Sequence, residues 1–557
     1  MKESAPGPRS WTAAVGAAMR ARLARRRRVL ADTDRWRRNS FAVQARTLRD
    51  NLARAADTQI GRARGFARLV RIDDDAQLID AYRAAVPVGD WYTVMDDIAR
   101  MREDGQPGVL WPGLVGHFAQ TSGTTAGDKY IPVTREMFRS NYRASLDIFA
   151  HLLNRGIEIE RVMSGRCLFL GGSSDLRRGA HGIVTGDLSG LVTPMIRWPL
   201  SAIYAPGKRV ALMSDWPEKI EAMAQQTAGQ DIRFVSGMPS WTHALLVRVL
   251  ELTGAERILD VWPHLSVFVH GGVRYDPFRA RLGEVLTSDR SGDFDHRLEL
   301  YPASEGFIAL QDQPGARAMR LNTDLGNFFE FVPVESLDDD GSIPADAPAF
   351  DVGTVEPGVR CCVVISSCAG LWRYNIGDVV EFEDVPDGPA RTGTGPARLR
   401  IVGRHRHFIN AFGENLIVEH IEHAVAHAAE RTGAAVGEFT AAPVYPAGNR
   451  PAGLELVVEV RGPTPAGFAA AFDESLKAQN VDYTTKREAD LGMAPPTVTA
   501  VEPGTFDRWL ASRGKLGGQH KCPRCANHRE HLEGVLHRAG AGAGTEVRSG
   551  AQAAAEV

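Results

Sequence analysis

The sequence predicts an α/β protein in two parts: a large N-terminal domain of mixed, largely parallel sheet covered by helices, and a smaller α+β domain behind it. Three observations carry that expectation. The runs Arg233-Phe234-Val235-Ser236-Gly237-Met238-Pro239 and Leu265-Ser266-Val267-Phe268-Val269-His270-Gly271-Gly272 are apolar and end near glycine, the pattern of buried strands. Between them, Trp241 to Leu252 carries apolar residues at helical spacing, and strand, helix and strand in alternation favour a parallel sheet. The segment Asp384 to Arg398 is rich in Pro, Gly, Asp and Thr with little to bury, so it reads as an exposed loop at a domain junction. Beyond it, strands at Leu399 to Val402 and Leu454 to Val460 flank a helix beginning near Val418. The expected boundaries are 1–398 and 399–537, with an Ala-, Gly- and Glu-rich disordered tail over 538–557.

Composition narrows the class. The 557 residues suffice for about two or three domains and a large interior, and a net charge of −3 gives no electrostatic argument for nucleic acid or an anionic membrane. No apolar run reaches the roughly 20 residues that span a bilayer, and the basic N-terminus lacks the apolar core of a signal peptide, so a cytoplasmic protein is expected; a monomer is its simplest state, and no sequence feature fixes it. Six cysteines (Cys167, Cys361, Cys362, Cys368, Cys522, Cys525) are few for this length and read as reduced thiols.

The elements follow in chain order. Arg25 to Arg28, with Trp36, Phe41, Val43, Leu48 and Leu52, mark basic amphipathic helix whose arginines are expected on a solvated face. The stretch Thr121-Ser122-Gly123-Thr124-Thr125-Ala126-Gly127-Asp128-Lys129 suits phosphate: glycines let backbone N–H groups approach an anion, and hydroxyls add donors. Only three residues separate Gly123 from Gly127, and Tyr130 follows Lys129, so it is not a Walker A loop; an ordinary surface turn is the plain alternative. Tyr130 to Val133 reads as a strand. Thr134 is a good N-cap for a helix carrying Met137, Phe138, Tyr142, Leu146, Phe149 and Leu153.

Further along, Leu298-Glu299-Leu300-Tyr301 runs into Pro302-Ala303-Ser304-Glu305-Gly306, placing a ring, a hydroxyl and a carboxylate at a strand end, where α/β sheets build sites. Tyr301 suits stacking on a base and Glu305 suits Mg2+, against the plain reading of a surface carboxylate. In Leu371-Trp372-Arg373-Tyr374-Asn375-Ile376-Gly377-Asp378 an aromatic strand breaks at Gly377 and presents Asp378, a natural acceptor for two ribose hydroxyls or simply a turn aspartate. Gly403 to Asn410, with Gly413-Glu414-Asn415, opens the second domain with basic side chains. Arg513 to Arg524 holds Lys515, Lys521 and Arg524 on a glycine-rich segment able to swing cations onto a charged centre.

Thr121 to Lys129, Tyr301 to Gly306, Trp372 to Asp378, Gly403 to Asn410 and Gln519 to Arg524, in this order, resemble the adenylate-forming superfamily and, within it, the auxin-responsive Gretchen Hagen acyl acid amido synthetases. Asp57-Thr58-Gln59-Ile60-Gly61-Arg62, Gly65-Phe66 and Phe328 to Pro333 support the resemblance, which covers nearly the whole chain. It implies that the N-terminal domain forms an acyl adenylate from ATP and a small carboxylic acid, releasing pyrophosphate. An amine, expected to be an amino acid, then displaces AMP. By the same match Ser122, Gly123, Thr124 and Thr125 contact phosphate; Tyr301, Ser304 and Glu305 line the adenine and Mg2+ region; Asp378 holds the ribose. Lys521 is the catalytic lysine with Lys515 its rival, and Arg404 is the hinge-side cation. The small domain is implied to be a mobile lid that keeps water from the adenylate. The acyl pocket is expected among the helix from Thr134, Met238 to Trp241 and His270 to Tyr275.

The Gly403 segment departs from plant members, as does His520 where they carry an aromatic residue. A thioester-forming ligase and a non-catalytic nucleotide-binding protein are the competing readings. His520, Cys522, Cys525 and His528 have a spacing that suits zinc, and His405 and His407 read as solvated strand residues.

Overall fold

The structure is a computed structural model. It describes residues 10–121, 129–171, 176–195, 200–213, 215–272, 275, 278–338, 342–387, 393–404, 408–409, 411–412, 414, 416–446, 451–461, 465–488, 492–513 and 522–542. The chain divides into two compact units, Met1–Arg406 and His407–Val557.

The first unit begins with helices Ser10–Ala31 and Thr33–Ala55, the second capped by Asp32, whose side chain accepts from the Arg35 N–H. The expectation of a solvated arginine face holds for Arg25 and Arg28 and fails for Arg26. Its guanidinium is half-buried and reaches Asp147 at 2.7 Å and Asp324 at 2.5 Å, because the buried Asp147 carboxylate needs a cation and the half-buried Asp324 lies within reach of the same one. At the end of the second helix the Thr58 hydroxyl caps Gln59–Arg64 by accepting from Gly61 N–H at 3.0 Å. A Cβ on Gly61 would lie 2.0 Å from the Ala55 carbonyl oxygen, so this position tolerates only glycine.

The strands of this unit are β1 (His117–Thr121), β2 (Lys129–Pro132), β3 (Arg166–Phe169), β4 (Arg177–Arg178), β5 (Val184–Gly186), β6 (Tyr204–Ala205), β7 (Ile232–Ser236), β8 (Val267–Gly271), β9 (His296–Ala303), β10 (Gly306–Leu310), β11 (Met319–Leu321), β12 (Phe328–Pro333), β13 (Arg360–Ser366), β14 (Tyr374–Asp384) and β15 (Arg398–Arg404). Among the described residues they make a four-stranded sheet, β2-β1-β5-β4, and an eleven-stranded sheet, β12-β13-β14-β15-β11-β10-β9-β8-β7-β3-β6. The large sheet is mixed. From β9 through β6 the pairs are parallel, as the strand-helix-strand alternation predicts, and from β12 through β9 they are antiparallel.

Helix Arg135–Asn154 starts as expected at Thr134, whose hydroxyl accepts from Met137 N–H and donates to the Cys368 carbonyl at 2.7 Å. One core cluster gathers Phe66, Tyr82, Trp111, Phe118, Tyr301 and Trp372, and a second packs Phe234, Val267, Val269 and Leu298 against the helices around Leu23 and Leu152. All six cysteines are buried, and none forms a disulfide. No helix among the described residues is long and apolar enough to cross a membrane.

In the second unit β16 (Phe408–Ile409) pairs β17 (Leu416–Ile417), and β18 (Val436–Val444), β19 (Gly453–Val460) and β20 (Thr497–Val501) form a sheet in that order. Helix Val418–Thr432 begins where the sequence places it. The strand expected to open this domain is β15, whose antiparallel partners β14 and β11 belong to the first unit, so a boundary at 398 would cut a ladder. Helix Glu530–Gly542 covers the start of the expected tail; 543–557 lie outside the described residues.

Gly61→Ala is expected to lower the unfolding free energy by about 1–3 kcal/mol or more through overpacking. Gly229→Ala, where an added Cβ meets nothing within 4 Å, stays within about 0.5 kcal/mol of wild type; urea midpoints check both. Burial, with the Arg320 guanidinium behind it, pushes His151 down to about 3. The unfolded chain therefore takes up a proton, below its ordinary value of about 6.5, that the fold refuses. Stability from this group is present above that value and drains as pH falls, by at most about 1.4 kcal/mol per pH unit. Urea unfolding from about pH 7 to about pH 5 is expected to show a shallower loss in His151→Gln than in wild type.

Candidate active site

β9 and β10 form a tight hairpin in which Ala303 pairs Gly306 and the half-buried Ser304 and Glu305 make the two-residue turn. Gly306 is required by proximity: its Cβ would stand 2.5 Å from Asn327 Nδ2. Tyr301, just before the turn, is buried and donates its hydroxyl proton to Asp378 Oδ2 at 2.5 Å. Tyr301 lies on β9 and Asp378 on β14, with β10, β11 and β15 between them in the sheet. Their contact therefore requires the antiparallel half to curl. Arg404 enters through its backbone, as the register partner of Asp378 across β14 and β15.

The sequence suggests that the strand breaks at Gly377. Instead β14 runs from Tyr374 through Asp384 and shifts register against β13 between Cys362 and Val364, so Asp378 sits on a bulge, with Gly377 at φ 90°. A bulge re-aims a side chain without ending the strand.

What holds β14 is a buried ion cluster that the sequence leaves invisible. Glu330, fully buried on β12, accepts from Arg373 Nε and Arg83 Nε, each at 2.9 Å. Arg373 also donates to the Val86 carbonyl at 2.9 Å, and its N–H donates to the Ser366 hydroxyl, which lies 2.6 Å from that of Tyr82. The segment behind helix Asp75–Ala85 then pairs with the strand, Asn375 N–H donating to Gly89 C=O at 2.8 Å. Trp372 packs edge-on to Phe66 at 4.7 Å and donates from Nε1 to the Leu110 carbonyl. Arg373 stands inside a motif the sequence singles out. Its partner Glu330 stands in another, and only the fold joins them.

Toward the expected acyl pocket, His270 on β8 is buried against Tyr275, their rings stacked 4.8 Å apart. Its Nε2 accepts from Arg297 at 3.2 Å, which places the ring proton on Nδ1. Burial, then Arg297 and Arg279, keep this imidazole neutral. Tyr275 donates to Asp293 at 2.5 Å, and Arg297 lies 4.0 Å over the Tyr275 ring. Arg297 and Asp293 carry no sequence signal beyond their charge.

Thr121 and Lys129 pair with each other at the ends of β1 and β2. Ser122, Gly123, Thr124 and Thr125, expected between them, lie outside the described residues, as do Lys515, His520 and Lys521. Arg524 pairs with Glu438 at 2.7 Å and lies 4.3 Å over Phe439. Its segment is fastened to β18, the Ala441 N–H donating to the Arg524 carbonyl at 2.9 Å and the Ala526 N–H to that of Ala441 at 3.1 Å. The described residues contain no group of three or more His, Cys, Asp and Glu side chains able to hold a metal.

This architecture is similar to that of the solved GH3.15 acyl acid amido synthetase, with a TM-score of 0.54 and 17% identity, covering 90% of this chain and 94% of that one. In sequence it resembles the indole-3-acetic acid-amido synthetases GH3.8 of Oryza sativa subsp. indica, 24% identical over 88% of this chain and 89% of the relative, and GH3.4 of Arabidopsis thaliana, 22% identical over 88% and 90%. Models of the GH3 family N-terminal, central and C-terminal domains match residues 29–200, 321–389 and 419–530. The chain belongs to the GH3 family.

Glu330→Gln leaves the buried Arg373 guanidinium without its countercharge, while the partly exposed Arg83 keeps Asp80 and Asp351, and is expected to cost about 3–5 kcal/mol. Chemical denaturation of the purified variant measures it; a loss below about 1 kcal/mol would show that the cluster does not secure β14.

Proposed function

We propose that this protein is an ATP-dependent acyl acid amido synthetase. The observation that carries the reading is the convergence of Tyr301 and Asp378, two of the expected nucleotide residues, across a curled sheet in a GH3-family chain. In the first half-reaction a carboxylate oxygen of the acid attacks the α-phosphorus of ATP, the bond to pyrophosphate breaks, and an acyl adenylate forms. In the second, an amine nitrogen attacks the acyl carbon, the bond to AMP breaks, and the amine gives up a proton. The relatives' names, amido synthetases of indole-3-acetic acid, support an aromatic or otherwise apolar acid and an amide product, with an amino acid as the amine of this reading.

The residues take their roles from chemistry. Asp378 accepts from ribose hydroxyls. Ser122, Gly123, Thr124 and Thr125 offer hydroxyl and backbone donors to phosphate. Glu305 presents carboxylate oxygen, the donor Mg2+ prefers, on a half-buried hairpin turn beside Ser304, so the donor chemistry fits that ion. Bound there, Mg2+ would neutralise phosphate charge. Lys521 supplies a cation to the carboxylate and phosphate as their charges approach, and Arg404 leads toward the C-terminal domain, the lid in this reading.

Incubation with ATP and a panel of carboxylic acids is expected to release pyrophosphate only with a cognate acid. Mass spectrometry with pooled amino acids and CoA is expected to show an amide. Lys521→Ala and Glu305→Gln are expected to slow adenylation by about 100- to 1000-fold, the loss typical of removing one preorganised charge-stabilising group. A thioester product, or full adenylation by Lys521→Ala, would overturn the corresponding assignment.

A further inference from the structure

Tyr301 is expected to stack on adenine, yet its ring is only 4% exposed and belongs to the central core cluster, leaving little face for a base. Its polar end is the active part. The phenol spans the curl of the sheet and donates to Asp378 Oδ2 at 2.5 Å, within the range of a charge-assisted bond.

Asp378 occupies the bulge of β14, beside Gly377 at φ 90°. Its backbone is fixed by the ladder to Arg404 and by the Gly377 N–H donated to Asn375 Oδ1 at 2.9 Å. The backbone of a bulge sets where the side chain starts, not how its carboxylate turns. The fixed phenol adds that second constraint.

We propose that Tyr301 is a positioning residue for ribose recognition: its hydroxyl holds the Asp378 carboxylate in the one orientation that meets the sugar hydroxyls. A carboxylate has about four lone-pair directions, so one can be given to Tyr301 while others remain for a diol. Selectivity for a ribonucleotide then resides in the Tyr301–Asp378 pair rather than in Asp378 alone. This rests on the adenylate-forming reading above.

The test is calorimetric binding of ATP and dATP to full-length protein, which needs no acid, amine or turnover. Wild type is expected to favour ATP by about tenfold, the worth of one hydroxyl on a charged acceptor. Tyr301→Phe keeps the ring and removes the donor; it is expected to bind ATP about tenfold more weakly while its preference over dATP shrinks below about threefold. Asp378→Asn loses the preference too, and adding Tyr301→Phe to it costs nothing further, because the two act as a unit. An unchanged ATP-to-dATP ratio in Tyr301→Phe overturns the proposal, whether both affinities stay at wild-type values, as for a ring that only packs, or fall together, as for a general loss of structure. A wild type without affinity for ATP overturns the adenylate-forming reading along with it, whereas an ATP-binding wild type with an unchanged ratio overturns this proposal alone.

Discussion

Glu330 is the constraint on which the described site depends. A carboxylate with no access to water is tolerable only when its charge is matched, and here two guanidiniums match it, Arg83 from helix Asp75–Ala85 and Arg373 from the approach to β14. The cluster therefore joins three pieces of chain that sequence separates widely. Arg373 adopts φ 45°, an uncommon conformation for a side-chain-bearing residue, and its side-chain and backbone bonds to Glu330, Val86 and Ser366 over-determine that geometry. Asp378 follows five residues later on the strand that emerges from this anchor.

The second consequence is curvature. A flat sheet would hold β9 and β14 far apart, since strands lie about 4.8 Å from their neighbours and three others intervene. The antiparallel half closes that gap by curling, helped by register shifts between β13 and β14, β14 and β15, and β9 and β10. The parallel half contributes in another way, ending β8 at Gly271, where a Cβ would lie 2.5 Å from the Leu300 carbonyl oxygen on β9. Close backbone approach there sets the path of β9 immediately before Tyr301. The side chains proposed to meet nucleotide are thus placed by sheet geometry, with hairpin turn and bulge as the local adjustments.

Much of this was legible in the sequence where the signal is local. Apolar runs ended by glycine gave β7 and β8, and helical spacing gave Pro239–Thr253 and Arg135–Asn154 with its Thr134 cap. Tyr301, Ser304 and Glu305 stand at a strand end as the sequence suggests, whereas Asp378 sits on a bulge inside a strand that continues to Asp384. What was not legible depends on long-range pairing. Nothing near Glu330 announces Arg83 and Arg373, nothing near Arg26 announces Asp147 and Asp324, and alternation read from β7 and β8 does not report that the sheet turns antiparallel beyond β9. The loop before Arg398 shows the same limit: it has the composition of a linker, and the strand after it, β15, pairs in the first unit's sheet.

Attack of an acid oxygen on the α-phosphorus of ATP leaves an isotopic trace: an acid labelled with heavy oxygen in its carboxyl group is turned over with an amine, and the label is read by mass spectrometry. An acyl-adenylate route requires one labelled oxygen in AMP, with none in pyrophosphate. Label in orthophosphate accompanied by ADP would mean attack at the γ-phosphorus, and would contradict the assignment of this site to adenylate formation.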